Sequence, residues 1–482
     1  MGIVLKQSFN NILTTYLGFA VGALNVLFLY PHFLEPEHYG LITFLLSAST
    51  LVWPIMGFGA PNTLIKFYTA YNSDTEKNRL LTTMLIIPLV VSVVIGGLGI
   101  IFYQALLDYF DTNEAVQNYI GLIFLISVAI AYFEVFYAWA KLTYKSVFGN
   151  FMKEVFHRVG VTVLLLAVYF EYLGLNGFIY SLTAIYILRM LVLMVYAFKL
   201  LPPKLDFKLP HNFSRVAKYS FLILIAGSIS TALLDLDKVM IEHYLPIEQV
   251  SVYAIAVYIA SVIAVPSRAM KQIAMPITAM FLNKNKKQEL AKLYKQTSVS
   301  LLLVSGLIFA LIITNVEQLY ELIPQEYQIE TGIIVFLCGI KLYENFLGNC
   351  NSILFNSDYY RWVLMIGIGV VILAVVFNIV FIPILGIWGA AIATFSTFFA
   401  FFSVKLYLVY KKFHMHPFTQ KTLPISILIV VTSLLFYFWE FNIHPLASIT
   451  IKGLVTTALY VFVVYKMNLS EELTQFLKQR KK

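Results

Sequence analysis

Charge is scarce in this chain. Only 12% of its 482 residues are Asp, Glu, Lys or Arg, about half the share of an ordinary soluble domain. Cysteine is scarcer still. Cys338 and Cys350 are the two, and on one predicted helix they stand about 18 Å apart along the axis, beyond the reach of a disulfide. No Cys-x-x-Cys or zinc-ligand spacing occurs, and His414-x-His416 beside Lys411 and Lys412 reads as a solvated loop rather than a metal site. A Walker A loop, a G-x-S-x-G elbow and a polar segment large enough to bind a nucleotide are also missing, which argues against an ATP-driven pump. Nothing in the sequence asks for a cofactor.

Apolar residues fill the space that charge leaves, at 60% of the chain and a mean hydropathy of +0.81. Runs of roughly 20 apolar residues recur from end to end, each long enough to cross a hydrocarbon core of about 30 Å. A transmembrane barrel would show shorter, alternating segments. The expectation is an all-α polytopic membrane protein with fourteen spans. They fall near residues 12–30, 40–61, 81–106, 118–140, 155–172, 177–198, 217–241, 250–271, 297–316, 331–355, 362–382, 387–408, 423–440 and 446–465. The first is longer than a signal-peptide core and is expected to stay in the mature protein.

The net charge of +9 is placed on one side. With the N-terminus inside, alternate loops collect 30 of the 34 Lys and Arg, and Arg189, Lys238, Lys341 and Lys452 lie within or at the ends of spans. None is left for the outer loops, which carry acids instead: Asp108, Asp111 and Glu114 in one, Glu317, Glu321, Glu326 and Glu330 in another. Lys and Arg collect in cytoplasmic loops, so both termini are expected in the cytoplasm. This placement also answers the suspicion of nucleic-acid binding that a basic chain raises.

Residues 199–216 form a basic, proline-bearing linker, and the tracts on either side resemble each other. Leu173-Gly-Leu-Asn-Gly177 matches Leu385-Gly-Ile-Trp-Gly389 at an offset of 212, and Leu34 and Glu37 fall opposite Leu245 and Glu248 at 211. Two nearly equal offsets so far apart indicate one duplicated unit. Six spans is an even number, so the copies share an orientation, related by an axis along the membrane normal. The expected organisation is an N-terminal lobe (1–198), the linker (199–216), a C-terminal lobe (217–410) and two further helices with a basic tail (411–482), with the working cavity between the lobes.

A span facing only lipid is apolar all round, whereas one lining water carries a polar stripe. The tenth has Lys341, Asn345, Asn349, Ser352 and Asn356 at steps of three and four. Lys341 lies about 15 Å in from the outer end, the one cation expected near the bilayer centre. A charge there costs roughly 2.5–3.5 kcal/mol on insertion scales, so it should face water or protein. A structural pair with Glu344 is the competing reading. The seventh span carries Gly227, Thr231, Asp235, Lys238 and Glu242 on one face, and the first carries Asn11, Thr14, Gly18, Gly22 and Asn25. Small residues there serve close helix packing equally well.

The candidate substrate contacts are therefore Lys341, Arg268, Lys66, Arg189, Asn345, Asn349 and Asn25, and the candidate ion-coupling groups are Asp235, Asp237, Glu134 and Glu344. Each has a plainer counterpart. Arg189 lies within snorkelling reach of the cytoplasm, as Lys452 does of the outer side. Arg268, Lys271 and Lys66 close spans at the inner surface, where cations collect anyway. Asp235 and Asp237 sit at the outer boundary, and Glu134, near an inner end, is either a proton carrier or an interfacial acid.

Fourteen spans in two parallel six-helix lobes plus two helices resemble the multidrug, oligosaccharidyl-lipid and polysaccharide exporter superfamily. Three stretches resemble its polysaccharide branch: Phe33-Leu-Glu-Pro-Glu-His-Tyr-Gly40, Leu234-Asp-Leu-Asp-Lys-Val-Met240 and Leu385-Gly-Ile-Trp-Gly-Ala-Ala391. The resemblance covers the whole chain and implies a Wzx-type flippase. Such a protein moves an undecaprenyl-pyrophosphate-linked oligosaccharide (an O-antigen, capsule or exopolysaccharide unit) to the outer leaflet of a bacterial inner membrane by alternating access. It further implies cavity cations that hold the pyrophosphate, H+ or Na+ gradients or the membrane potential to reset the cycle, and contact with membrane lipids and other polysaccharide assembly proteins. Family cavities often place Arg in the first two helices; here the first has no cation after Lys6 and the second only Lys66.

Three rivals remain. A drug or organic-cation exporter of the same fold would want acids in its cavity, and the first span has none between Lys6 and Glu35, although Asp235, Asp237 and Glu344 keep it open. A lipid II flippase is a closer cousin. A membrane-embedded enzyme would need catalytic residues in a substantial loop, and the outer loops are short and without Lys or Arg.

Overall fold

The structure, a computed structural model, describes residues 2–109, 114–441 and 443–469, and every regular element among them is helical. Fourteen helical segments stand at the expected positions: α1 (Asn10–Phe33), α2 (Pro36–Tyr68), α3 (Asp74–Ile101), α4 (Ala115–Leu142), α5 (147–169), α6 (Leu175–Leu200) and α7 (Phe213–Tyr244). They continue as α8 (248–283), α9 (Lys287–Tyr320), α10 (331–355), α11 (Arg361–Leu385), α12 (Ile387–Phe413), α13 (Thr422–Tyr437) and α14 (Pro445–Lys466). Eleven are long and apolar enough to cross a membrane unaided. Of the others, α13 is a shorter apolar helix, and α5 and α10 are interrupted. Asp111 and Asn113 of the first outer loop lie outside the described residues.

The interruptions have local causes. α1 widens into a π-turn at Asn25–Leu29, and α5 does the same at Met152–Phe156. The buried Asn25 amide spans the two helices, donating to Arg158 O at 2.8 Å and accepting from Thr162 Oγ1 at 2.7 Å. Gly18 lets α1 approach α5 closely, because a Cβ there would strike the Glu154 carbonyl. α10 breaks between Phe346 and Cys350, where it packs against α8 and α9. At the α11–α12 corner Gly386 takes φ +58°, a conformation that disfavours any side chain. Its counterpart in the repeated motif, Gly174, sits at an ordinary φ of −82°. The two copies of Leu-Gly-x-x-Gly therefore share a sequence and differ in backbone.

Two compact units divide the chain, Met1–Ser251 and Val252–Lys482. In the first, α2 packs on α3, α4 and α7, while α6 packs on α4 and α5. Its core holds Phe133, Phe136 and Trp139 of α4 against Leu193 and Ala197 of α6 and Leu64 and Phe67 of α2. α7 is tied into this unit by Thr63 to Ser220 at 2.8 Å and Ser47 to Asp235 at 3.3 Å. In the second, α8 packs on α9 and α10, α9 on α10, and α12 on α10 and α11. The pairs α8–α9, α8–α10, α12–α10 and α12–α11 repeat α2–α3, α2–α4, α6–α4 and α6–α5 six helices on, whereas the packing of α2 on α7 is not repeated by α8 and α13. α13 and α14 are added against α9, around Leu302, Leu303, Ile429 and Tyr460.

The linker after α6 lies against the first unit. Trp139 Nε1 donates to Leu201 O at 3.0 Å, Arg79 reaches Asp206 at 3.0 Å, Glu76 accepts from the His211 N–H at 2.8 Å, and Tyr71 bonds Asn212. The Lys208 backbone N–H and the Arg79 guanidinium hold the Asp206 carboxyl below its ordinary range.

Candidate functional site

Besides the Asp235–Lys238 pair of α7, two charged clusters form among the described residues of the helical segments, one in each unit. In the first, Glu134 of α4 receives Lys153 of α5 at 2.6 Å. Lys141, one end of α4, lies 3.7 Å over the Tyr137 ring, and Arg189 of α6 packs over Phe133 and Tyr186 at 4.3 and 4.6 Å. Both add their positive field at Glu134. Arg189 does not snorkel as expected. It is only 5% exposed, and its Nε has no hydrogen-bond partner; aromatic faces and the acids Glu134 and Glu154 balance its charge.

The second place is built on α10. Glu344 stands 3.6 Å from Lys341 on its own helix and 3.7 Å from Lys271 on α8. Lys405 of α12, just 4% exposed, lies 3.4 Å over the Phe401 ring and adds its field at Glu344. Lys341 also approaches the Phe398 ring at 5.1 Å. Lys341 is thus paired with Glu344, and the pair belongs to a cluster in which three cations share one acid. Lys405, counted as a loop residue in sequence, is buried because α12 extends to Phe413.

The other candidates do not join these clusters. Asn345 donates to Ile263 O at 2.5 Å and to Ser305 Oγ at 2.6 Å, and Asn349 donates to Thr278. The stripe on α10 therefore ties the broken helix to α8 and α9, and its regular spacing ends at the break. Asn25 is likewise spent on α5. Lys66 is exposed, 3.8 Å over the Tyr219 ring, and Arg268 is exposed on α8. Asp235 pairs with Lys238 at 2.6 Å, and Asp237 is buried beside them. Lys452, expected to snorkel, is instead 1% exposed and donates to Thr314 O and Gln318 Oε1 at 3.2 Å. α14 packs its lysine onto α9, which supplies the oxygens that lipid lacks.

Two features escaped the sequence reading. One is the membership of Lys141, Lys153, Lys271 and Lys405 in the clusters. The signal was available: Glu134 and Glu344 are 210 residues apart, nearly the repeat offset, and each follows an aromatic residue, Phe133 and Tyr343. The other is the burial of Glu242, a member of the α7 stripe: it is 2% exposed, and its two carboxyl oxygens have no hydrogen-bond partner. A separate cavity of about 740 Å³, lined by Lys292, Lys295, Val299, Leu303 and Lys421 among others, shares no residue with either cluster. Among the described residues no group of His, Cys, Asp and Glu is placed to hold a metal, and the two cysteines are buried and unbonded.

Long apolar helices packed in two compact units define a multi-pass membrane protein. The chain belongs to the polysaccharide biosynthesis protein family, whose model matches residues 4–281, more than half its length. Among solved structures it is similar to the lipid II flippase MurJ in an inward closed conformation, with a TM-score of 0.73, 14% identity, and coverage of 97% of this chain and 100% of that one. It is also similar to a multidrug resistance MATE family transporter of the MOP superfamily in its inward-facing conformation, with a TM-score of 0.61, 14% identity, and coverage of 86% and 95%. An outward-facing MATE structure matches with the same TM-score and identity over 85% and 96%. At this identity the likeness is one of fold. No curated protein matches the chain in sequence.

Proposed function

We propose that this protein is a flippase that carries an undecaprenyl-pyrophosphate-linked oligosaccharide from the cytoplasmic to the outer leaflet of a bacterial inner membrane by alternating access, with both termini in the cytoplasm. The observation that carries this reading is membership of the polysaccharide biosynthesis family. The clusters supply the chemistry it needs. A pyrophosphate moved through a low-dielectric interior has to exchange water for charge-assisted hydrogen bonds. Lys341, Lys271 and Lys405 set three cations against Glu344, and Lys141, Lys153, Arg158 and Arg189 set four against Glu134 and Glu154. An organic-cation exporter would want the opposite balance.

Lipid II is the second reading, favoured by the likeness to the MurJ structure over 97% of the chain. It ends in the same polyprenyl pyrophosphate and differs in the glycan. Deleting the gene in its own bacterium separates the two. The proposed function predicts viable cells that accumulate pyrophosphate-linked repeat units on the inner leaflet and lose surface glycan. Lysis with accumulated lipid II would replace it by the second reading.

A further inference from the structure

The acids of the two clusters stand at equivalent places, although their cations differ in type and in the helices that supply them. Glu134 and Glu344 stand 210 residues apart on α4 and α10, which hold the same place in the packing scheme of their units. Each acid draws on cations from its own helix and from two others: Lys141, Lys153 and Arg189 from α4, α5 and α6; Lys341, Lys271 and Lys405 from α10, α8 and α12. A residue kept only to neutralise a buried charge would pair one to one and be closed over. Around Glu344 the ratio is three to one, around Glu134 and its neighbour Glu154 the cations Lys141, Lys153, Arg158 and Arg189 outnumber the acids by four to two, and Lys153 and Lys271 keep 41% and 42% of their side chains exposed. The excess positive charge is costly unless an anion visits, because like charges held close together repel.

We propose that Glu134 and Glu344 are tethered stand-in anions, each occupying its three cations while the site is empty and yielding them to a phosphate group of the substrate. This rests on the pyrophosphate reading above and adds the part played by the acids. In the empty protein the carboxylate limits repulsion among the cations. An arriving phosphate has to outbid it, which a multiply charged pyrophosphate does and a singly charged anion does not. Lysine suits this exchange: its ammonium is a mobile point charge on a flexible stem, able to swing from carboxylate to phosphate. The acids thereby set both discrimination for multiply charged head groups and ease of release.

The test is binding of inorganic pyrophosphate and of monophosphate to the full chain in lipid nanodiscs. Glu344→Gln keeps the side-chain volume and removes the competing charge. It is expected to tighten pyrophosphate binding roughly tenfold, about 1.4 kcal/mol, and to narrow the preference over monophosphate. Glu134→Gln is expected to act likewise at its own cluster and serves as an independent copy should the first variant fail to fold. Lys271→Ala should weaken binding, while Lys292→Ala, outside both clusters, should not change it. If Lys271→Ala weakens binding but neither glutamine variant tightens it, the acids are structural and the stand-in proposal fails while the pyrophosphate reading survives. If no cluster lysine affects pyrophosphate binding, both are overturned.

Discussion

Lys341 Nζ stands 3.6 Å from Glu344 Oε2, one turn along the same helix, and Lys271 approaches the same carboxylate from α8 at 3.7 Å. Glu344 therefore keeps a partner when Lys341 is removed. Lys341→Ala is expected to leave protein abundance close to normal and to abolish glycan export, and Lys341→Arg to retain part of it. Adding Glu344→Ala should not restore export. Restored export in the double variant, scored by surface glycan against immunoblotted protein, would make the pair purely structural.

Glu242 provides a prediction about stability. Its carboxyl oxygens are buried without a hydrogen-bond partner, and an uncompensated buried charge costs several kcal/mol. Glu242→Gln is expected to raise the thermal unfolding midpoint of the purified protein by a few degrees. A fall would show that the carboxylate is held by a favourable interaction.

The linker clasp should respond to acid. Asp206 is held below its ordinary range by the Lys208 N–H and by Arg79. A depressed folded value means that the contribution is present above the unfolded value, near 3.9, and is lost as the pH falls through the folded one. Protease cleavage within 201–212 is therefore expected to be slow at neutral pH and to rise only under acid below about pH 4. Asp206→Asn should be cleaved more readily at neutral pH. Equal cleavage of both proteins at pH 7 would remove the clasp from the account.

Topology rests on the absence of Lys and Arg from the outer loops. Cys338 and Cys350 are buried, so the native background should label little. A cysteine at Gln325 should react with an impermeant thiol reagent from outside the cell, and one at Asn285 should not. Outside labelling at Asn285 would invert the orientation and the direction of transport with it.

The helices were legible because apolar length is a local property of the sequence. What escaped was set by tertiary contact. The α10 stripe looked like a wet face, yet Asn345 and Asn349 are taken up by α8 and α9. Arg189 and Lys452 looked able to reach water, yet aromatic rings and backbone oxygens of neighbouring helices hold them inside. Spacing along one helix shows which residues share a face; which helix covers that face depends on how the others pack. Cations far apart in sequence, such as Lys271 and Lys405, meet Glu344 only after folding.

The most direct measurement is translocation by the purified protein in liposomes loaded with a labelled undecaprenyl-pyrophosphate oligosaccharide, followed by the accessibility of the glycan in each leaflet. The account predicts that the wild-type chain moves the lipid between leaflets and that Lys341→Ala, present in equal amount, does not. Failure to move any polyprenyl-pyrophosphate glycan, together with proton-driven export of an organic cation by the same liposomes, would contradict it.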